Sequence, residues 1–381
     1  MRTDTDTHTP PAASLPPEVF LRDEASPSLL SLLPMERNSL SVATGRYALA
    51  KALDAASGKA LTGRAWLPSL CCASLAPVFL QRGFSLSFYS TAPFALPGLE
   101  RGDVFLYIHF CGFPNRAAEH ALGALPEERR PVVVEDCVHA LFTRGTGGFG
   151  DFALYSFRKF LPVPDGGLLL SREPVDETLS PPLERFISLK TAGLLSGSRR
   201  LLEEGEAALD ADDEAREPSA MGAFLLDRLP WKHIPEVRRK NYAFLAERLR
   251  LPPLDDDTVP LGVPLRVPAG KGELERRLRA AGFEPPISWD VPRDAPSDEA
   301  DRLVVLPCDE RMGERELLKM INIRASMNEK KSGRVPLYNK GGRPMPEICS
   351  QITFFSEYTY PTGGERARLL PEHEESKGDV R

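Results

Sequence analysis

The chain has 381 residues, and its 48 Lys and Arg residues against 54 Asp and Glu residues give a formal net charge of -6. Both signs are interspersed, so no basic field is present that would attract a nucleic-acid backbone. The length argues against a small binding module and favours two domains with a segment left over. The first residues lack the features of a signal peptide, and no apolar run reaches the roughly 18 residues of a membrane span. We therefore expect a cytoplasmic protein with no nucleic-acid or membrane partner.

The first half of the chain alternates apolar runs with helical patterns. Residues 1–40, rich in Pro, Ser, Thr and acidic residues, are interpreted as an N-terminal arm. Helical spacing follows over Ser41–Ala56, Leu70–Gln81 and Asn115–Leu122. Strands are predicted at Ala65–Leu67, Phe84–Tyr89, Val104–Ile108, Pro131–Glu135, Phe152–Ser156 and Gly166–Ser171. This alternation predicts an α/β fold, with a central, mostly parallel sheet between helices, in a large domain over residues 41–215.

The second half predicts a smaller C-terminal α+β domain over residues 216–326. Charged helical patterns cover Leu183–Glu214 and Ser219–Leu251. Beyond them, strands are predicted at Val263–Val267, Pro286–Trp289 and Leu303–Leu306, and helices at Gly272–Ala281 and Glu314–Ile323. The pattern then dissolves into Gly, Pro and charge, so residues 327–381 are interpreted as a tail.

The six cysteines include no C-x-x-C pair, which argues against a disulfide framework and against a zinc knuckle. His109–Cys111 and Cys137–His139 each place two potential ligands on one face of an extended strand. Because no third ligand set accompanies them, we expect no metal site.

An acidic pair closes one predicted strand, where a carboxylate would face the ligand crevice of a parallel sheet. Side chains alternate along a strand, so Glu135 and Asp136 point to opposite faces, and periodicity does not decide which enters the crevice. A buried carboxylate here could hold the pyridine nitrogen of pyridoxal 5'-phosphate (PLP). Asp136 is the preferred candidate.

Lys159 follows another strand in Ser156-Phe157-Arg158-Lys159. A PLP enzyme needs a lysine that bonds the cofactor's aldehyde, and Lys159 is flanked by Phe157, Phe160 and Leu161. Apolar surroundings would lower the proton affinity of such an amine and make it a nucleophile. Lys159 is therefore the predicted cofactor lysine.

Two glycine-containing segments are candidates for binding a phosphate. Thr44-Gly45-Arg46 opens the first core helix, whose free N–H groups could bind the anion. Gly145–Gly150 resembles a phosphate loop, but it precedes a strand rather than a helix. We interpret it as a flexible hairpin or rim loop.

The order of these motifs resembles the DegT/StrS-type sugar aminotransferases, fold type I PLP enzymes of the aspartate aminotransferase superfamily. The resemblance rests on Thr-Gly-Arg opening a helix, Leu-Pro-Ser before the next helix, Val-Glu-Asp-Cys-Val-His-Ala, Gly-Asp-Phe-Ala-Leu-Tyr-Ser-Phe-Arg-Lys and Asp-Gly-Gly. Arg-Arg-Lys-Asn-Tyr and Leu-Pro-Cys match later landmarks, so it covers about residues 41–323.

The resemblance implies a PLP-dependent transaminase with the following roles. Asp136 would hold the pyridine nitrogen, His139 would contact the ring and its 3'-oxygen, and Lys159 would bond the cofactor and move protons. Ser156 with the backbone of Gly45 and Arg46 would bind the phosphate. It also implies small-molecule substrates, with glutamate as the donor and a nucleotide-linked keto sugar as the acceptor, and a homodimer with shared active sites.

The chain departs from the family pattern at three points. Lys159 lies closer to Ser156 than is usual, Cys72 replaces an aromatic residue that stacks on the cofactor ring, and Ser219-Ala220-Met221 lacks the Asn-Tyr-Arg that contacts the partner's phosphate. A PLP-dependent dehydratase and a non-catalytic family member therefore stay open as alternatives. A serine acyl-enzyme, with Ser156 and Lys159 as an S-x-x-K pair, is a third, although its companion motifs are absent from the sequence.

Overall fold

The computed structural model describes residues 28–59, 61–267, 270–284, 291–296 and 300–332, with side chains described as far as Met327 in the last helix. Most of the predicted N-terminal arm, the predicted strand Pro286–Trp289 and the predicted tail beyond Ser332 lie outside the described residues.

A seven-stranded sheet forms the centre of the molecule. Its strands are β1 (Asn38–Val42), β2 (Arg64–Pro68), β3 (Ser85–Tyr89), β4 (Val104–Ile108), β5 (Val132–Asp136), β6 (Phe152–Ser156) and β7 (Gly167–Ser171). The spatial order is β1-β7-β6-β5-β4-β2-β3. Neighbours from β6 to β3 are parallel, whereas β7 is antiparallel to both β6 and β1. The predicted α/β fold with a mostly parallel sheet is confirmed.

Helices cover this sheet and bury the central strands β4 to β7 along their whole length. Burial on both faces explains why these strands are largely apolar, with polar residues only at the carboxyl ends of β5, β6 and β7. The helices of this part are α1 (Gly45–Ala56), α2 (Leu75–Leu80), α3 (Arg116–Gly123), α4 (Glu184–Ser196), α5 (Arg199–Asp210), α6 (Ala220–Arg228) and α7 (Ile234–Leu249).

A smaller second sheet follows α7. It pairs β8 (Gly262–Arg266) with β9 (Leu303–Pro307) in antiparallel register, and α8 (Lys271–Ala280) and α9 (Glu314–Ser332) accompany it. The buried side chain of Asn241 on α7 donates to the carbonyls of Cys308, Asp309 and Met312 after β9. The Arg-Arg-Lys-Asn-Tyr segment therefore fixes α7 to this smaller unit.

Helix boundaries are where the sequence prediction was least accurate. The pattern over 183–214 is two helices, because Gly197 takes a left-handed conformation (φ 66°) that ends α4, and Ser198 caps α5. The pattern over 219–251 is broken before α7 at Pro230. Helix α2 begins only at Leu75, and α9 continues to Ser332 instead of ending at Ile323.

The first core element is a strand rather than the start of a helix. Asn38–Val42 pairs with β7, and its side chains alternate, with Leu40 and Val42 buried and the residue between them exposed. The helix predicted from Ser41 begins at Gly45, where the side chain of Thr44 accepts the N–H of Tyr47 as an N-cap. The strand thus leads directly into the helix N-terminus that faces the candidate site.

No helix in the described part of the chain is long and apolar enough to cross a membrane.

Candidate active site at the carboxyl edge of the sheet

The carboxylates at the end of β5 point to opposite faces, and the structure separates their roles. Asp136 is buried, and its Oδ1 accepts the N–H of Val138 at 2.9 Å. Burial raises the pKa of Asp136 to about 6, although the Val138 N–H and the positive charge of Lys159 oppose that rise. Asp136 is therefore the carboxylate that faces the predicted lysine.

Glu135 lies on the other face and organises the glycine loop, Gly145–Gly150. Its carboxylate accepts four hydrogen bonds, from His109 Nε2 at 2.9 Å and from the backbone N–H groups of Gly147, Phe149 and Gly150 at 2.5, 3.0 and 2.9 Å. Burial alone would raise the pKa of Glu135, but these hydrogen bonds outweigh it and lower the pKa to about 2.

The glycine loop is therefore neither flexible nor a rim loop, and that prediction was wrong. The guanidinium of Arg37 donates to the carbonyls of Gly147, Gly150 and Asp151, at 2.5, 2.9 and 2.6 Å. An internal carboxylate and an internal guanidinium thus hold the loop from both sides. Its N–H groups bind an anion, as a phosphate loop would, but that anion is the protein's own side chain.

His109, Glu135 and Cys137 lie close enough to suggest a metal centre, since their ligand atoms fall within 4.8 Å of one another. However, His109 Nδ1 accepts the N–H of Asn115 at 2.9 Å, so Nε2 carries the proton and donates it to Glu135. The carboxylate has no acceptor position left, and burial raises the pKa of the Cys137 thiol well above its usual value. This cluster is a closed hydrogen-bond network.

His139 lies on the same side as Asp136. It is buried, and its ring centroid is 5.8 Å from that of Phe110 in an edge-to-face arrangement. Burial, together with the charge of Lys159, lowers the pKa of His139 to about 3, so the imidazole is neutral at physiological pH. Lys159 thus acts electrostatically on both Asp136 and His139, which brings the three predicted residues together.

The start of α1 lies against the ends of β6 and β7. A Cβ placed on Gly45 would lie 3.2 Å from Val138 Cγ2 and 3.3 Å from Ser156 Cβ, and one on Gly167 would lie 2.7 Å from the Thr44 carbonyl carbon. At Gly167 a side chain would force the Thr44 backbone away, and at Gly45 it would require Val138 or Ser156 to shift by a few tenths of an ångström. This packing brings Gly45 beside Ser156, as predicted.

The backbone and the side chain of Arg46 face different parts of the molecule. Its guanidinium donates to the Leu209 carbonyl at 3.3 Å and pairs with Asp210 at 2.7 Å, both at the end of α5. Within the described residues, the N–H groups of Gly45 and Arg46 and the hydroxyl of Ser156 have no hydrogen-bond partner. These donors are therefore available to a ligand.

Lys159 ends a short 3-10 turn, Phe157–Lys159, and its side chain is exposed in the single chain. Phe157, Phe160 and Leu161 are instead buried in the core. The predicted apolar enclosure of the amine is therefore wrong. What surrounds Lys159 is charge, from Asp136 and from a basic cluster described below.

Cys72 is half-buried in the turn before α2, with its Sγ 3.1 Å from Ser74 Oγ. Its neighbour Cys71 is fully buried, and the charge of Asp136 contributes to raising the pKa of the Cys71 thiol. Cys71, rather than Cys72, is thus the cysteine that the described contacts connect to the carboxylate.

Several solved structures share this fold. An aminotransferase, TlmJ from Streptoalloteichus hindustanus, superposes with a TM-score of 0.55 at 19% identity, over 79% of this chain and 89% of that one. DesV from S. venezuelae superposes with a TM-score of 0.54 at 19% identity, over 81% and 90%. The PLP-form of the putative sugar aminotransferase Spr1654 from Streptococcus pneumoniae gives 0.54 at 13% identity, over 79% and 89%.

The fold is that of the sugar aminotransferases. No protein-family profile matches the sequence, and no curated protein matches it either. The likeness is therefore one of architecture.

Within the sugar aminotransferase fold, sequence reasoning missed a basic cluster beside Lys159. Arg158 and Lys190 both bind Glu206, although Arg158 lies in the 3-10 turn after β6, Lys190 on α4 and Glu206 on α5. No local motif signals this group, because only the packing of α4 against α5 assembles it.

Proposed function

We propose that this chain is a PLP-dependent aminotransferase of the DegT/StrS type, which moves an amino group from an amino-acid donor, glutamate, to a keto group on a nucleotide-linked sugar. The observation that carries the proposal is the grouping of Asp136, His139 and Lys159 at the carboxyl edge of a parallel sheet, beside the N-terminus of α1. Ligands of open α/β sheets bind at this edge.

The residues present fit PLP. The unpartnered N–H groups of Gly45 and Arg46 and the hydroxyl of Ser156 offer donors to a phosphate at a helix N-terminus. Oδ2 of the buried residue Asp136 accepts no hydrogen bond from the described residues, so this oxygen is available to a cationic ligand atom. When bound, PLP supplies an aldehyde that bonds an amine and a ring that accepts electrons from the substrate carbon.

Each side chain then has a definite task. When PLP is bound, Asp136 in its ionised form would keep a proton on the pyridine nitrogen. The neutral imidazole of His139 would contact the ring and its 3'-oxygen. Lys159 would bond the cofactor, and its amine would carry the proton that moves at the substrate carbon. Its exposed position leaves Nζ free for this movement.

We further propose a homodimer with shared sites. Met221 and Phe224 on α6 are large apolar side chains that are 47% and 48% exposed in the single chain. They follow Ser219, whose N–H and hydroxyl bind the buried Asp165 at 2.6 and 2.7 Å just before β7. A subunit contact at α6 would therefore lie next to the segment that carries Lys159. Sedimentation analysis tests the assembly.

The alternatives are less well supported. Family members that dehydrate sugars replace the lysine with histidine, so Lys159 favours transamination. A non-catalytic descendant remains compatible with Cys72 at the stacking position. The serine acyl-enzyme lacks its central contact, since no hydrogen bond joins Lys159 to Ser156 among the described side chains.

The test begins with purified protein supplied with PLP. We expect a visible absorption band that borohydride reduction removes. Lys159→Ala should lose the band, whereas Lys232→Ala, at an exposed position on the same chain, should keep it. A wild-type protein that takes up no PLP would refute the proposal, and a band that persists in Lys159→Ala would refute the lysine assignment. Incubation of the PLP form with glutamate should then change the spectrum and release 2-oxoglutarate.

A further inference from the structure

The basic cluster beside Lys159 consists of Arg158 and Lys190, with Glu206 as its central anion. Arg158 Nη1 lies 2.7 Å and Lys190 Nζ lies 2.6 Å from the same oxygen, Glu206 Oε1. Both cations are largely withdrawn from solvent, with side chains 17% and 12% exposed. The arrangement therefore holds two cationic heads side by side, next to the exposed amine of Lys159.

The helices α4 and α5 are shaped to place Lys190 there. A Cβ on Gly205 would lie 2.7 Å from Lys190 Cδ and 3.0 Å from its Cγ, so the stem of Lys190 lies directly on the α5 backbone. Gly193 of α4 gives the same close approach to Leu202. The two glycines bring the helices together and fix the lysine head at Glu206.

The two cations of this cluster share a single hydrogen-bond acceptor. Arg158 and Lys190 both donate to the same oxygen of Glu206. The charge of Asp165 also acts on Arg158, but the N–H and hydroxyl of Ser219 bind its oxygens, and no hydrogen bond joins Asp165 to Arg158 among the described residues. Arg158 Nε is buried and has no hydrogen-bond partner among the described residues. An ion pair that served only to join α4 to α5 would need one cation, since a second like charge nearby is repulsive.

We propose that Arg158 and Lys190 form a subsite for an anionic group, a carboxylate or a phosphate, of the substrate whose reacting end meets Lys159. Glu206 is a positioning residue that holds both cations in place until the anion arrives. This inference rests on the proposed function, because it takes Lys159 as the residue at which the substrate reacts. The anion has two possible sources: the second carboxylate of a dicarboxylic amino donor, or the phosphate of a nucleotide-linked acceptor.

The test is calorimetric titration of the PLP-reconstituted full chain at low salt, with succinate and with inorganic pyrophosphate as probes. PLP fills the phosphate site at α1, so the titration reports on a second anion site. Lys190→Met keeps the stem on Gly205 but removes the charge, and it should weaken binding of the preferred probe by about tenfold or more. The probe that wild type binds more tightly identifies the source of the anion.

Glu206→Gln gives a prediction of opposite sign. It removes the competing carboxylate, so binding of the same probe should become tighter. A purely structural ion pair would instead leave binding of the probe unchanged in both variants, even where a variant folds less stably. Arg200→Met and Glu204→Gln are matched controls, because that pair lies on the same helix at 2.7 Å and is well exposed, and neither change should alter binding.

The inference is overturned if wild type binds neither probe, or if Lys190→Met binds as wild type does. The visible band of lysine-bound PLP is recorded first in every sample. A protein with the band but with unchanged anion binding in Lys190→Met refutes the subsite alone. A protein without the band refutes the proposed function, and the difference in anion binding between wild type and Lys190→Met still decides whether the cluster binds anions.

Discussion

Asp136 offers a quantitative test, because its ionised form is unfavourable in the protein without cofactor. Burial raises its pKa from 3.8 to about 6, which corresponds to about 3 kcal/mol of lost stability at a pH well above 6. The sign follows from the direction of the shift. A group whose pKa is raised on folding stabilises the folded state only in acid, and that stability is lost as the pH rises from about 4 through about 6.

Asp136→Asn removes this pH dependence while it keeps an oxygen to accept the Val138 N–H. Without PLP, the stability of the variant relative to that of wild type should therefore rise by about 2 kcal/mol when the pH is raised from about 4.5 to about 7.5. Urea unfolding of both proteins at the two pH values measures the difference, and other titrating groups cancel in the comparison. Replacing Asp256, which is fully exposed, with Asn is the control.

When PLP is added in the same experiment, wild type should become more stable than Asp136→Asn. Added PLP should stabilise wild type, because a ligand that binds only the folded state raises its stability, and it should stabilise Asp136→Asn much less. A stability difference that is the same at both pH values would refute the account of Asp136 as a buried, ionisable carboxylate held for a cationic ligand atom.

Two further changes test the supports of the site. Glu135→Gln should lower the free energy of unfolding by about 3 kcal/mol, because the amide cannot accept all four hydrogen bonds. The stability advantage of wild type should shrink as the pH falls from about 4.5 toward about 2, since protonation of Glu135 has the same effect. Equal stability of the two proteins in chemical denaturation would contradict this account. Gly167→Ala places a Cβ 2.7 Å from the Thr44 backbone, so it should lower the free energy of unfolding by about 2 kcal/mol and weaken PLP binding. The control Gly58→Ala, whose added Cβ would lie 3.8 Å from its nearest neighbour, should change neither. Parallel thermal melts and PLP titrations measure both effects.

The strands were the part of the fold that the sequence predicted best. Buried strands such as β4 and β5 are runs of apolar residues, and that chemistry is local. Helix ends were harder, since the left-handed Gly197 and the break at Pro230 divide segments whose charge pattern continues across them. Strand β1 has the period-2 signal of Leu40 and Val42, but the neighbouring helical spacing obscured it.

The candidate site was predictable only in part. The predicted end of the strand located Asp136 and Glu135, but the sequence did not show on which face of the sheet each side chain lies. Only the contacts of Glu135 with the glycine loop show this. The enclosure of Lys159 was wrong because neighbours in sequence, such as Phe157 and Phe160, turn into the core. Helix packing brings Lys190 close enough to interact electrostatically with Lys159 and brings Glu206 to Arg158, and no spacing in the chain records either interaction.

The hairpin that carries Lys159 also bears on how the spacing of its motif can vary. Ser156 lies opposite Gly167 at the mouth of the β6–β7 hairpin, so the segment between them starts and finishes at neighbouring points of the sheet. Residues can be gained or lost inside such a closed excursion without disturbing the pairing of the strands below it. The interval between Ser156 and Lys159 can therefore vary while the cradle at α1 stays intact, provided that Phe157, Phe160 and Leu161 keep their places in the core.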